Sequence, residues 1–310
     1  MNILVYGLGA IGITFATFLK ESGNNVYGKV KDKNFPKNLY IDGIWGKHSA
    51  ELDGISDNIL DFKDINLDLI ILAVKSYDTE KALNDIKKIL KPNSIVLLTQ
   101  NGYGNYELAV KIIGKEHTLL GRVIFGAKVI DKGKVRITVN ADDVRIGQPD
   151  NAIDKKVILK IVEKINKAGI PTSYSPNVYK ILWDKILYNC ALNPLGAILE
   201  CSYGELADNK NTRLIMNKII EEIFLVAKLN NIQLNWNNAE EYIDFFYNKL
   251  VPPTRNHFPS MYYDIQTGKR TEIDALNGAI VKLAEKVGIK APTNETIVNL
   301  IKFKEKKGDS

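Results

Sequence analysis

An α/β domain built on a doubly wound, mostly parallel sheet, followed by an all-α domain, is the architecture encoded in this chain of 310 residues. Three observations lead there. Short, wholly apolar runs alternate with helix-period segments through the first half, as a parallel sheet covered on both faces requires. A glycine fingerprint follows the first apolar run and opens a helix. Beyond the two prolines of IPTSYSPN (Ile170–Asn177), every periodic segment is helical.

Asn2–Tyr6 reads as a short buried strand, and Ile11–Ser22 as a helix stopped by Gly23. Asn25–Val30 is a second strand. Leu67–Val74 and Ser94–Thr99 are continuous apolar runs with an amphipathic helix, Thr79–Leu90, between them. This βαβ rhythm makes the first domain Rossmann-like. Arg122–Val129 and Lys134–Val139, joined by Asp131-Lys132-Gly133, read as antiparallel strands, with Asp143–Ile146 as another. Ile153–Ala168 is a helix ended by Gly169. Helices then follow at Val178–Cys201, Asn211–Asn230, Trp236–Leu250, Pro259–Gly288 (in one or two pieces) and Thr293–Lys306, and Lys302–Ser310 reads as a frayed tail. The expected domains are 1–172, dinucleotide-binding, and 173–310, all-helical.

Composition narrows the function classes. Hydrophobic residues are 45% and charged residues 25%, with a net charge of +6. The scattered lysines form no concentrated basic patch, so neither nucleic acid nor a membrane is an expected partner, while anionic small molecules are favoured. No segment is long and apolar enough to span a bilayer. NILVYGLGAIG lacks a basic leader and reads as structure, not as a signal peptide. Cys190 and Cys201 have no metal-ligand spacing and read as reduced thiols of a cytoplasmic protein. No metal is expected.

Gly7-Leu8-Gly9-Ala10-Ile11-Gly12 fits G-x-G-x-x-G between a strand and a helix, the context a dinucleotide needs. Gly7 permits the tight turn, Gly9 lets backbone approach a pyrophosphate, and Gly12 lets helix and strand pack closely. The segment after the second strand is YGKVKDK. Asp32 could hold a ribose 2′-hydroxyl, favouring NAD. Lys29, Lys31 and Lys33 could instead neutralise a 2′-phosphate, and because they outnumber the acid the reading favours NADPH.

Trp183–Gly196 (WDKILYNCALNPLG) is apolar around most of a helix, yet Lys185, Asn189 and Asn193 recur every four residues on one stripe. Buried lysine and asparagine are costly without partners. Three stretches offer them: Lys75 in VKSY and Asn101 in QNGYG, each beyond a strand end, and Ser260 and Glu272 in SMYYDIQTGKRTEIDALNG. Singly, each residue has a plainer explanation. Lys185 could snorkel, Asn189 and Asn193 could bond nearby backbone, Glu272 could be surface, and Pro194 could disturb the helix around Asn193.

Taken together, GLGAIG, AVKSYDT, QNGYG, the run from Trp183 to Pro194 and the S-M-x-x-D…TEID-x-x-NG segment resemble the 2-dehydropantoate 2-reductases, or ketopantoate reductases, in order and almost end to end. The resemblance implies NADPH-dependent reduction of 2-dehydropantoate to (R)-pantoate, in pantothenate and coenzyme A biosynthesis, by a chain that forms a homodimer. It makes Lys185 the catalytic lysine. It makes Asn101, Asn189, Asn193, Ser260 and Glu272 substrate ligands. It places Gly7 to Gly12, Lys31, Lys75, Asn101 and Glu272 around the cofactor, with Lys31 standing where the family commonly has an arginine. Two departures bear on the substrate: GRVIFGA (Gly121–Ala127), where small hydroxyl residues are common, and Pro259, where a second serine often stands. A family reductase of another 2-oxo acid, or a non-catalytic NADPH-binding sensor, are the alternatives.

Overall fold

The computed structural model describes residues Met1–Lys307. It divides into two compact units: Met1–Gln100 with Asn105–Tyr179, and Asn101–Gly104 with the chain from Lys180 onward.

The first unit opens with β1 (Asn2–Tyr6), α1 (Ala10–Glu21), β2 (Asn25–Lys29), β3 (Asn38–Gly43), β4 (His48–Glu51) and β5 (Gly54–Ser56). It continues through β6 (Leu69–Leu72), α2 (Thr79–Lys87), β7 (Ile95–Leu98), α3 (Asn105–Ile113), β8 (Thr118–Arg122) and β9 (Phe125–Asp131). Then come β10 (Lys134–Asn140), β11 (Val144–Gly147), α4 (Lys155–Lys167) and β12 (Thr172–Tyr174). The main sheet has the order β12-β11-β8-β7-β6-β1-β2-β5. All its pairings are parallel except β11 with β8. Chain order reverses at β1, which leads to β2 on one side and has β6 on the other, so the glycine loop lies at the topological switch point.

A second sheet, β4-β3-β10-β9, was only half expected. The β9–β10 hairpin is as read from the sequence, but Arg122 ends β8 in the main sheet instead of starting β9. The short strands β3, β4 and β5 carry no long apolar run, and Gly43 and Gly46 break the first two apart at positive φ. Between the sheets lies α1, which packs against β1, β2, β3, β4 and β9. That explains why every residue from Gly12 to Leu19 is buried. Thr14 and Thr17 are tolerated there because each hydroxyl donates to the carbonyl one turn back, at 2.8 Å. Burying Phe15 and Leu19 completely contributes about 1.5–3 kcal/mol each.

The boundary expected after residue 172 differs from the observed division. Thr172–Tyr174 is a strand paired with Val144–Ile146. The Tyr179 hydroxyl also donates to Glu107 at 2.5 Å, which keeps the start of the next helix with the first unit.

The second unit is all-α among the described residues. It comprises most of α5 (Val178–Leu199), α6 (Tyr203–Asp208), α7 (Lys210–Leu229) and α8 (Ala239–Phe245), then α9 (Ser260–Gln266), α10 (Asn277–Lys286) and α11 (Pro292–Lys307). A π-turn, Phe246–Leu250, ends the expected Trp236–Leu250 helix. Its core holds Trp183, Tyr242, Phe246, Ile223, Ile280 and Ile301, all fully buried. Helix ends are closed by side chains. Ser202 and Glu205 form a capping box on α6, and Glu222 accepts the Thr293 and Asn294 N–H groups at the start of α11. Lys302–Lys307 is not frayed: it continues α11, and Lys304 Nζ donates to the Ala197 and Ile198 carbonyls at the end of α5, 3.1 Å each. The rest of that tail, Gly308–Ser310, lies outside the described residues. Among the described residues no helix is long and apolar enough to cross a membrane. Cys190 and Cys201 are free thiols.

His48 ties β4 to its surroundings. Its Nδ1 faces Glu21 at 2.8 Å and its Nε2 faces the Trp45 carbonyl at 2.9 Å, with the ring 4.3 Å from that of Phe18. Both neighbours are acceptors, so the doubly protonated ring satisfies both. Burial lowers the imidazole pKa, but the Trp45 carbonyl and Glu21 carboxylate outweigh it and the net shift is upward. A raised folded value means the stabilisation is complete below about pH 6.5, the ordinary imidazole value, and fades as pH rises through the folded one. Replacing His48 with Phe keeps the ring contact and should remove this loss of stability across neutral pH. Denaturation midpoints measured against pH test it, and an unchanged slope would rule His48 out as its source.

Candidate active site

One candidate region, in the first unit, is the turn from β1 into α1. Gly7 has φ +97°, and a side chain there would press on Val74 Cγ1 at 2.8 Å. A Cβ on Gly12 would collide with the Gly7 carbonyl oxygen, so the helix approaches the strand as closely as glycine allows. Leu8 is buried and anchors the loop. Gly9 is the N-cap residue, makes no side-chain cap, and has open space where a Cβ would stand. The first intrahelical bond is made by Ile13 to the Gly9 carbonyl, so the N–H groups of Ala10, Ile11 and Gly12 have no partner within the helix. There is no acidic residue in the first turn to compete with an anion. Glycine shape and free N–H groups both fit a dinucleotide pyrophosphate.

The three lysines after β2 behave differently from one another. Lys29 is buried, donates to the Val30 carbonyl at 2.9 Å and lies 5.2 Å from the Tyr6 ring centre, so its ammonium is engaged within the domain. Lys31 is exposed and pairs with Asp78 at 2.8 Å. Lys33 is exposed. Asp32 is engaged by Lys132 at 2.5 Å and by the Asn34 N–H at 2.9 Å. Lys75 is half-buried at the end of β6, just before the Ser76–Asp78 turn that carries the partner of Lys31.

A second candidate cluster lies wholly in the second unit. Lys185 Nζ donates to Asn101 Oδ1 at 2.6 Å, and Asn101 Nδ2 donates to Glu272 Oε2 at 3.3 Å. The amide is thereby oriented: carbonyl towards the ammonium, NH₂ towards the carboxylate. Hydrogen bonds to charged groups of this kind contribute about 1.5–3 kcal/mol. Asn101 is held there by its neighbours. Gly102 has φ +84°, and any side chain on it would strike the Ala275 carbonyl oxygen, to which the Tyr103 N–H donates at 2.8 Å. The Tyr103 ring then packs 5.3 Å from Trp183, two residues before Lys185. Glu272 is fixed from the other side, because both the N–H and hydroxyl of Thr271 donate to Glu305 at 2.7 Å.

Asn189, one turn beyond Lys185, is 8% exposed and its side chain makes no hydrogen bond among the described residues. Asn193, 7% exposed, accepts a 2.6 Å bond from the buried Tyr203 hydroxyl. Ser260 is exposed at the first position of α9, and no hydrogen bond of its hydroxyl occurs among the described residues. Pro259, before it, packs on α5: a Cβ on Gly196 would come within 2.9 Å of its ring. Pro194 does not interrupt α5, which runs on to Leu199. Tyr203 and Thr271 support the site without having been anticipated. Tyr203 carries no periodic signal that links it to Asn193. Among the described residues no group of three His, Cys, Asp or Glu side chains is placed to hold a metal ion.

A G-x-G-x-x-G turn with open N–H groups on a doubly wound sheet and a polar lysine–amide–carboxylate chain in an all-α unit define a class, the nicotinamide-dependent oxidoreductases. Comparison with known proteins places the chain within it. Residues 3–151 match the family described as Ketopantoate reductase PanE/ApbA, and residues 177–305 match its C-terminal family. The chain is 45% identical to the 2-dehydropantoate 2-reductase of Aquifex aeolicus (strain VF5), over 98% of this chain and 97% of the relative. A PanE/ApbA family ketopantoate reductase from Ralstonia eutropha JMP134 superposes with a TM-score of 0.87 at 25% identity, covering 100% of both chains. D-mandelate dehydrogenase with NADH and anilino(oxo)acetate does so with a TM-score of 0.87 at 28% identity, covering 100% of this chain and 99% of that one. This chain belongs to the ketopantoate reductase family.

The glycines separate into two kinds under substitution. Gly12→Ala forces a methyl group into the Gly7 carbonyl and should cost about 1–3 kcal/mol of stability. Gly9→Ala meets no protein atom, so the thermal midpoint should stay near wild type while affinity for the nicotinamide dinucleotide falls. Calorimetry and a fluorescence titration measure the two quantities. Unaltered cofactor affinity in Gly9→Ala would show that no phosphate approaches there.

Proposed function

We propose that this chain reduces 2-dehydropantoate to (R)-pantoate with NADPH, a step of pantothenate and coenzyme A biosynthesis. The observation that carries the reading is the Lys185–Asn101–Glu272 chain. When bound, NADPH supplies the hydride that turns the ketone into an alcohol. The residues suited to hold it are Gly7 to Gly12, Lys31 and Lys75, with Asn101 and Glu272 at its reactive end. Lys185 stabilises the negative charge that develops on the ketone oxygen and gives that oxygen its proton. Asn101 holds the ammonium through its carbonyl, so the lysine does not reorganise as charge appears. Glu272 orients Asn101 and accepts a hydrogen bond from the substrate hydroxyl. Asn189 has an amide open to a ligand, Asn193 is steadied by Tyr203, and Ser260 offers a hydroxyl to the substrate carboxylate.

A second reading, a family reductase acting on another 2-oxo acid, is favoured by the likeness to D-mandelate dehydrogenase and by Pro259 replacing a serine. NADPH oxidation measured over a panel of 2-oxo acids separates the two. Absence of turnover on every one, with NADPH still bound, would identify a sensor instead.

Cofactor choice rests on Lys31, because Lys29 is committed to the core and Asp32 to Lys132. Lys31→Ala should raise KM for NADPH far more than KM for NADH. Equal changes for both would remove the lysine from the 2′-phosphate site.

Lys185→Ala should lower the rate of hydride transfer by about 10²–10⁴ and leave the fold intact. Lys185→Arg should rescue poorly, since a guanidinium gives up its proton badly. Single-turnover rates at saturating NADPH and keto acid are the measurement. A near wild-type rate in Lys185→Ala would end the catalytic assignment.

A further inference from the structure

Helix α5 carries Lys185, Asn189 and Asn193 and runs unbroken through Pro194. Proline has no N–H, so the carbonyl four residues earlier, that of Cys190, loses its helix donor. Cys190 is fully buried, so bulk water does not reach that oxygen and it needs an internal donor. Asn277 serves it: its Nδ2 donates to the Cys190 carbonyl at 3.2 Å and to Asn294 Oδ1 at 2.9 Å. Asn277 and Asn294 are both 0% exposed.

The orientation of Asn277 is imposed. Both of its partners are acceptors, so a flipped amide would set oxygen against oxygen twice. Asn294 is oriented in turn, since its Nδ2 donates to Glu222 Oε2 at 2.8 Å, and Glu222 is fixed by the N–H groups that open α11. Among the described residues the Asn277 Oδ1 has no hydrogen-bond partner, so the bonds that hold this side chain are those of its nitrogen. The defect lies between Asn189 and Asn193, and Asn277 opens α10, just beyond the short turn Ile273–Ala275 that follows Glu272. One segment therefore grips α5 twice, through Asn101 at Lys185 and directly at Cys190.

We propose that Asn277 is a positioning residue of the reductase: it replaces the helix donor that Pro194 removes and so sets the Lys185–Asn189 half of the stripe against the Asn193 half. This rests on the function proposed above. It touches neither substrate nor cofactor.

The test is a cycle of four chains: wild type, Asn277→Leu, Pro194→Ala and the double variant. Pro194→Ala restores an N–H that bonds the Cys190 carbonyl within the helix. Turnover of 2-dehydropantoate by wild type is measured first, and its failure counts against the functional reading alone. Asn277→Leu should lower kcat about tenfold with the Kd for NADPH unchanged. In the Pro194→Ala background the same replacement should have little effect on kcat. Equal losses in both backgrounds, or a folded Asn277→Leu chain with wild-type kcat, would overturn the proposal. Urea unfolding midpoints of all four chains read the coupling without substrate. Coupling there but none in kcat would overturn the positioning role. If Asn277→Leu alone fails to fold, the double variant must fold, and an unfolded double variant overturns the proposal.

Discussion

The hydrogen bond from Lys185 to Asn101, continued from Asn101 to Glu272, brings together three parts of the chain that are far apart in sequence. An ammonium beside an apolar helix surface is costly unless its charge is met by an oriented dipole or anion. Asn101 meets it with a carbonyl, and Glu272 prevents that amide from turning round. Much of the second unit's local structure serves this alignment. The positive φ of Gly102, the Ala275 carbonyl that receives Tyr103, the ring of Trp183 and the hold of Glu305 on Thr271 each restrict one of the three groups.

Polar groups elsewhere in the helical unit follow the same logic. Asn193 is buried with Tyr203, and Asn294 with Glu222. Side chains close the helix ends as well, with Lys304 at the last carbonyls of α5 and Glu222 at the first N–H groups of α11. Each such bond satisfies a group that would otherwise be buried without a partner. The outcome is a bundle in which α5 is fixed at its far end and along its polar stripe.

Legibility in the sequence depended on whether the signal was local. The stripe of Lys185, Asn189 and Asn193 was visible because four-residue spacing on an apolar helix is a local pattern. The glycine turn was visible because strand, fingerprint and helix adjoin in the chain. Lys29 could not be told from Lys31 and Lys33 in the sequence: its ammonium bonds the carbonyl of the next residue, Val30, and lies over the Tyr6 ring, which only the pairing of β1 with β2 brings beside it. Strands β3, β4 and β5 were missed because each is too short for an alternation to register, and their stability comes from β10, β2 and α1. The tail at Lys302–Lys307 looked soluble and frayed because the groups that hold Lys302 and Lys304 are Asp274, Ala197 and Ile198. The asparagine Asn277 lies in a segment that was recognised, yet one of its two partners is a backbone carbonyl, which no side-chain pattern announces.

The second sheet changes what kind of helix α1 is. In a sheet covered by helices on its outer faces, the first helix keeps one side in water and can vary there. Here both sides meet β-structure, and Gly12 to Leu19 are enclosed. No position in that stretch is neutral ground for mutational drift, because a larger residue meets one sheet and a smaller one leaves a void against the other. The helix whose first N–H groups are left open is thus shielded from gradual change by packing that lies away from that open end.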